Sequence, residues 1–294
     1  MSRRSASIRK TRAGAIGCAL TLVCLVQIDH ALAADPDKSG YNLFHRTPDS
    51  LLRELSTDRP DKTESPYTVD AGHFQFETDL LSYAYDRSDS ETVKTLAIAP
   101  TNCKVGLFNN VDLQIVVQTY NIQWTHDRVA DSRTRATGFG DLIARCKINL
   151  WGNDGGSTAF AMMPFIKFPT NQNDLGNHAV EGGVILPLAI HLPGEWDLGT
   201  MLVVARLQDS DSSDYHGEVV QSVTASHDIV GKLAGYVELF SNLSAEEHAG
   251  WVATFDLGFT YALSANVQLD AGVNIGLTDA ADDLNPFVGL SIRY

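Results

Sequence analysis

The sequence is short of what most function classes require. Four cysteines in 294 residues are too few for the disulfide scaffold of a small secreted protein. Positive charge is scarce: 22 Lys and Arg stand against 36 Asp and Glu, a formal net charge of −14. That balance argues against nucleic acid, whose binding relies on clustered basic residues, and against a polybasic surface for anionic lipid. The longest apolar run, Ala13 to Ile28, is interrupted by Thr21 and Gln27 and is shorter than the roughly 20 residues of a membrane helix. The nine His show no compact ligand spacing such as His-x-x-x-His, so no metal is expected. Gly138-Phe139-Gly140 opens a strand pattern rather than a helix, which removes a nucleotide fingerprint, and no cofactor is expected.

What the N-terminus does have is a leader pattern. Arg3, Arg4, Arg9, Lys10 and Arg12 precede the apolar run, and Ala31-Leu32-Ala33 follows as a small-x-small site. Basic start, apolar middle and A-x-A end define a secretory signal peptide over residues 1–33, against the alternative of a membrane anchor. Cys24 lacks the small neighbour expected of a lipidated cysteine. Cleavage after Ala33 removes five basic residues and one acidic one and leaves a net charge of −18, with Cys103 and Cys146 as the remaining thiols.

From residue 72 onward, polar and apolar residues alternate with period two, the mark of strands with unlike faces. Leu142, Ala144, Cys146, Ile148 and Leu150 oppose Ile143, Arg145, Lys147 and Asn149. Phe74, Phe76, Thr78 and Leu80 oppose His73, Gln75, Glu77 and Asp79, and residues 251–261 and 266–277 repeat the arrangement. Twelve such segments follow, most of them longer than the 9–11 residues with which a tilted strand crosses a bilayer. Short turns alternate with longer polar connections, among them a predicted loop at 125–137. An exported chain with this pattern is expected to be all-β, a closed antiparallel transmembrane barrel of about twelve strands over residues 72–294 in the outer membrane of a Gram-negative cell. Trp124, Trp151, Trp196 and Trp251 fall at or beside strand ends, where amphipathic rings suit a membrane interface, although soluble barrels also bury tryptophan. Pro100, Pro164 and Pro187 interrupt predicted strands and are read as bulges or misplaced boundaries.

Residues 34–71 form a separate N-terminal segment, periplasmic or inside the barrel. Thr47 as N-cap and Pro48 at the first position predict a short helix toward Leu55. Beyond it Asp58, Arg59, Asp61, Lys62 and Glu64 alternate in sign, as a plug needing internal partners would. A mixed-charge tail needs no such partners.

Thr57-Asp58-Arg59-Pro60-Asp61-Lys62-Thr63-Glu64-Ser65-Pro66, with Val69 and Gly72-His73-Phe74-Gln75-Phe76-Glu77, resembles a family of outer-membrane proteins labelled as transporters or as components of a meta-pathway for phenol degradation. Thr137-Gly138-Phe139-Gly140-Asp141-Leu142 with Arg145 and Lys147, and Pro164-Phe165 with Lys167 and Pro169-Thr170, are similar to its central strands. The resemblance implies the barrel fold; its phenol label rests on a pathway association rather than on ligand-matching residues. The terminal strand, ending at Tyr294, resembles the signal read by the barrel-assembly machinery.

The candidate functional residues are therefore inward-facing and polar: Glu77, Asp79, Gln114, Gln118, Arg145, Lys147, Asn149, Glu181, Glu218, Glu238, Asp256, Asp270, Asn274 and Arg293. Their bland role is to fill a polar interior; their functional role is to line a path for a small solute, hydrophobic or aromatic in the family's case. A sealed structural or adhesive barrel is the alternative. A lipid hydrolase is a third, since one twelve-stranded outer-membrane architecture hosts a phospholipase, but Ser226 and His227 are adjacent and point to opposite faces, so no catalytic residues are expected. Cys103 and Cys146, on the second and fourth strands, are too far apart for a disulfide. Asp270→Asn is expected to leave folding nearly unchanged, whereas Leu269→Arg puts a charge into lipid.

Overall fold

The computed structural model describes residues 37–210 and 212–294; the predicted leader lies outside them. Twelve antiparallel strands form one sheet: β1 (Phe74–Arg87), β2 (Glu91–Ile98 and Thr101–Phe108), β3 (Val111–Val117 and Tyr120–Asp127), β4 (Ser132–Gly138 and Leu142–Trp151), β5 (Thr158–Phe168), β6 (Glu181–Leu192), β7 (Trp196–Gln208), β8 (Tyr215–Val230), β9 (Leu233–Ser244), β10 (Val252–Ser264), β11 (Val267–Gly276) and β12 (Leu284–Arg293). Each pairs with its neighbours in sequence, and β12 returns to β1 with Gln75 opposite Arg293, which closes the barrel. Closure leaves no sheet edge between first and last strand, as a chain in lipid requires.

The alternation places polar residues inside. Phe74 and Phe76 face outward, while Gln75 and Glu77, which alternate with them, are buried. Trp151 and Trp196 lie at the end shared with both termini, and Trp124 and Trp251 toward the other; all four are exposed on the outer face, as two interfacial belts. Tight turns at the termini's end mark it as periplasmic, and the longer connections, 169–180 among them, mark the opposite end as extracellular. The predicted loop at 125–137 is instead mostly strand: β3 runs to Asp127 and β4 starts at Ser132, so four residues make the turn. Polarity misled there, because at these strand ends the outer face carries basic and polar residues in place of the apolar band.

Three strands break at one height. Ala99-Pro100 divides β2, Gln118-Thr119 divides β3, Phe139–Asp141 divides β4, and β1 carries a bulge at Leu80. The breaks are tied together: Asp79 N donates to Pro100 O at 3.1 Å and Gly140 N to Gln118 O at 2.9 Å. Pro100 thus sits in an irregularity, as expected of proline. Pro164 and Pro187 do not: both lie inside continuous strands. Pro164 keeps its pairing with Val184 on β6 while the ladder to β4 lapses opposite Cys146. Pro187 keeps Met201 on β7 and the ladder to β5 lapses opposite Ala161. A missing N–H removes a bond on one side only, so an interior strand tolerates it without a bulge.

Cys103 and Cys146 are free thiols on the outer face, separated by β3, where Ile115 pairs with Cys103 and Leu113 with Cys146. Leu269, the third residue of β11 from its periplasmic end, sits nearer the interface than the midplane. Leu239, central in β9 and 53% exposed, tests the lipid face better. Leu239→Arg should cost folding into vesicles about 2–4 kcal/mol and Leu269→Arg about 0–1 kcal/mol. Heat-modifiable gel mobility after refolding reads both, and equal losses would mean that the depth assignment is wrong.

Candidate functional site

The segment before β1 does not leave the barrel. The predicted helix shrinks to one 3-10 turn, Asp49–Leu51; Pro48 rather than Thr47 occupies its cap, with no side-chain cap bond. Thr47 is instead buried, its N–H bonded to Ala71 O. A clamp holds the segment at the periplasmic end. Lys38 and Arg53 both reach Asp154 at 2.9 Å in the β4–β5 turn, and Arg53 and Arg293 both reach Asp70, at 3.3 and 3.4 Å. Partial burial would raise the Asp154 carboxyl, but Lys38, Asn109 and Arg53 outweigh it and hold it below the usual carboxylate range.

Residues 56–66 then cross the interior, and four of their five alternating charges separate by sign onto two walls, Asp61 being the exception. One wall is basic: Lys104 on β2 and Arg145 and Lys147 on β4. Asp58 takes Lys104 at 2.5 Å and Lys147 at 2.6 Å, and Glu64 takes Arg145. Lys104 also meets Glu77. Burial alone would raise the Asp58 carboxyl; the two ammonium groups outweigh it and hold it far below its ordinary value. The other wall is acidic: Asp79 on β1, Glu238 on β9, Asp256 on β10 and Asp270 on β11. Arg59 bridges Asp79 and Asp270, the latter at 2.6 Å. Lys62 reaches Asp256 at 3.2 Å, and its N–H donates to Glu238 at 2.9 Å. Asp61 is buried beside Glu238, where desolvation and that carboxylate raise it well above its ordinary value.

Two glycines make room. Gly289 on β12 is the cross-strand partner of both Asp79 and Asp270, and a Cβ there would stand 2.2 Å from the Arg59 guanidinium. At Gly106 a Cβ would stand 2.1 Å from the carbonyl oxygen of Asp70. Asp270→Asn is therefore not the neutral change expected from its inward position: it removes one of the two carboxylates that hold Arg59.

The other candidates are spread over the interior. Asn149 donates to Pro66 O at 3.0 Å, and Gln114 bonds Asn102 and Asp112. Asn274 continues through Asn285 to Ser82. Gln118 borders a cavity of about 280 Å³ left beside the crossing segment. Glu181, bound to Lys167 at 2.6 Å, and Glu218 line a separate extracellular cavity of about 1000 Å³. Arg293 belongs to the periplasmic clamp. Sequence reasoning missed Lys104, Asp112, Asp70 and Arg53. Asp112 shares the strand parity of Gln114, which was signal enough to find it.

It also missed an apolar inner wall. Met163 on β5, Ile185 on β6, Met201, Val203 and Ala205 on β7 and Val220 on β8 are buried in one cluster, with Phe165, Leu207 and Phe240 packed against it. The wall begins where Glu64 N meets Met201 Sδ at 3.5 Å and runs toward the extracellular end.

Closed antiparallel strands, an apolar outer band between aromatic belts and a charged interior define an outer-membrane β-barrel. The chain belongs to the family described as "Putative MetA-pathway of phenol degradation", whose model matches residues 57–294. The fold is similar to the crystal structure of an outer membrane channel from Pseudomonas putida F1, at 12% identity and a TM-score of 0.57, covering 81% of this chain and 100% of that one. It is also similar to the transport unit of the autotransporter AIDA-I from Escherichia coli, at 10% identity and a TM-score of 0.52, covering 82% and 92%. No curated protein matches the sequence.

Proposed function

We propose that the protein is a passive outer-membrane channel for small hydrophobic or aromatic molecules. Residues 1–33 direct its export, and the assembly machinery inserts it through the strand ending at Tyr294. The apolar inner wall carries this reading. A pore for hydrated ions gains nothing from an inner wall built on the buried Met163, Ile185, Met201 and Val203, whereas the half-buried Phe165, Leu207 and Phe240 packed over them desolvate an apolar solute at about 25 cal/mol per Å². The polar candidates line the remaining space, and residues 56–66 restrict flow as a plug. Twelve strands lie between the filled interior of about eight and the aqueous channel of 16–18. The ion-paired crossing favours the second reading, a sealed structural barrel.

Uptake of N-phenylnaphthylamine separates them, because an intact outer membrane excludes this apolar aromatic dye. Cells expressing the protein should take it up faster than vector controls, and Val203→Asp should abolish the gain. Folding of the variant is checked by heat-modifiable mobility. Dye entry at the vector rate with folded wild-type protein in the membrane would refute the channel.

A further inference from the structure

The basic residues that the lumen does not use are gathered on the outside. Of the seventeen Lys and Arg beyond residue 33, ten are ion-paired among the described residues; the others are Arg87, Lys94, Arg128, Arg133, Arg135, Arg206 and Lys232. Five of those seven share one patch, at the extracellular ends of β1–β4. The register fixes its layout. Tyr85, Lys94, Trp124 and Arg135 are successive cross-strand partners on four neighbouring strands, and Arg87, Thr92, His126 and Arg133 form the next row toward the tip. Arg128 stands in the β3–β4 turn, bonded to Ser88 O at 2.9 Å.

Both rows face outward. Ser82 points into the lumen, where it bonds Asn285, so Leu81, Tyr83, Tyr85 and Arg87 point away from it. Along the barrel axis the outer face then changes in a fixed order. Leu81, Ile98 and Tyr120 come first, then Tyr83, Leu96 and Ile122, then the Lys94 and Arg135 row, then the Arg87 and Arg133 row. Successive rows are about 7 Å apart, two residues of strand rise. Apolar, aromatic and basic layers follow one another as hydrocarbon, interface and headgroup do.

The rings sit against the charges: the Arg135 guanidinium lies 5.8 Å from the Trp124 ring centre, and Lys94 Nζ 5.8 Å from that of Tyr85. The nearby acids do not neutralise the patch. Asp131 faces His126, and Asp127 accepts from the N–H groups of Val129 and Ala130 in its own turn. Asp89 and Glu91 are exposed at the β1–β2 tip without an ion pair among the described residues. The overall acidity, which argued against any surface for anionic lipid, averages over this local separation.

We propose that this patch docks a phosphorylated glycolipid of the outer leaflet, its phosphates held by Lys94, Arg133 and Arg135 and its acyl chains lying against the apolar rows below. Arginine forks suit phosphate oxygens, and the patch stands at headgroup height beside the chains that carry those phosphates. The proposal is independent of what crosses the lumen.

The test is native mass spectrometry of the full exported chain, released from phosphatidylcholine nanodiscs doped with bis-phosphorylated lipid A or with its dephosphorylated form. Wild-type protein should retain the phosphorylated form preferentially. Lys94→Gln/Arg133→Gln/Arg135→Gln should weaken retention by about a hundredfold, at about fivefold per charge removed. Lys232→Gln, on the periplasmic side, should retain it as wild type does. Equal retention of the two lipids, or of one lipid by wild type and the triple variant, would overturn the proposal. So would displacement by millimolar inorganic phosphate, which would make the patch a site for free anions.

Discussion

Deleting residues 34–66 while keeping the leader should raise single-channel conductance several-fold in a barrel that still folds. The strand ladder closes without the segment, whose β-bridge to the wall is the isolated one of Asn42 with Phe108. Once it is gone, water replaces the chain beside Lys104, Lys147, Asp79, Asp256 and Asp270 and takes over as their hydrogen-bond partner. Planar-bilayer recording of the folded deletion mutant reads the change directly. Gly289→Val should move conductance the same way by a smaller amount, since it fills the space over which Arg59 lies. An unaltered conductance in the folded deletion mutant would reduce the segment to a tether.

Asp58→Ala should act more sharply than its size implies. Lys104 and Lys147 are both nearly inaccessible to solvent and converge on this carboxylate. Removing one partner from a buried ionic group strands the others, at a cost of about 3–5 kcal/mol. Glu77 and Asp112 remain near the two lysines, so the barrel survives and the loss falls on docking of the segment. Trypsin supplied to the periplasmic face should then cut after Lys62 in Asp58→Ala but not in wild type. Equal protection of the two would show that the other contacts suffice to hold the segment.

The barrel and its inward polar residues were readable because a closed sheet makes parity the same thing as facing. Arg145, Asp256 and Asp270 need only an apolar neighbour on each side to declare their direction. The rule fails where both faces are apolar. Across Met201-Leu202-Val203-Val204 alternation disappears, so the apolar inner wall could not be told from the lipid face. Sign alternation in residues 58–64 was visible as well. Which wall each charge meets was not, because it depends on the depth at which the chain crosses and on strands as distant in sequence as β1 and β11. The outer basic patch was hidden by the same arithmetic that made the chain acidic: ten basic residues are taken up in ion pairs, nine of them at buried or half-buried sites, and the total says nothing of where the rest lie.

The position of Arg59 has a kinetic consequence. Asp79 and Asp270 stand on β1 and β11, either side of β12, so the guanidinium spans the seam where the first and last strands meet. That seam cannot exist until the whole chain has entered the membrane. A contact completed only after closure adds little to the rate of assembly and acts instead on the rate of opening. Arg59 is thus a latch set after the barrel has shut, and it resists separation of β1 from β12, the step with which unzipping of a closed sheet would begin.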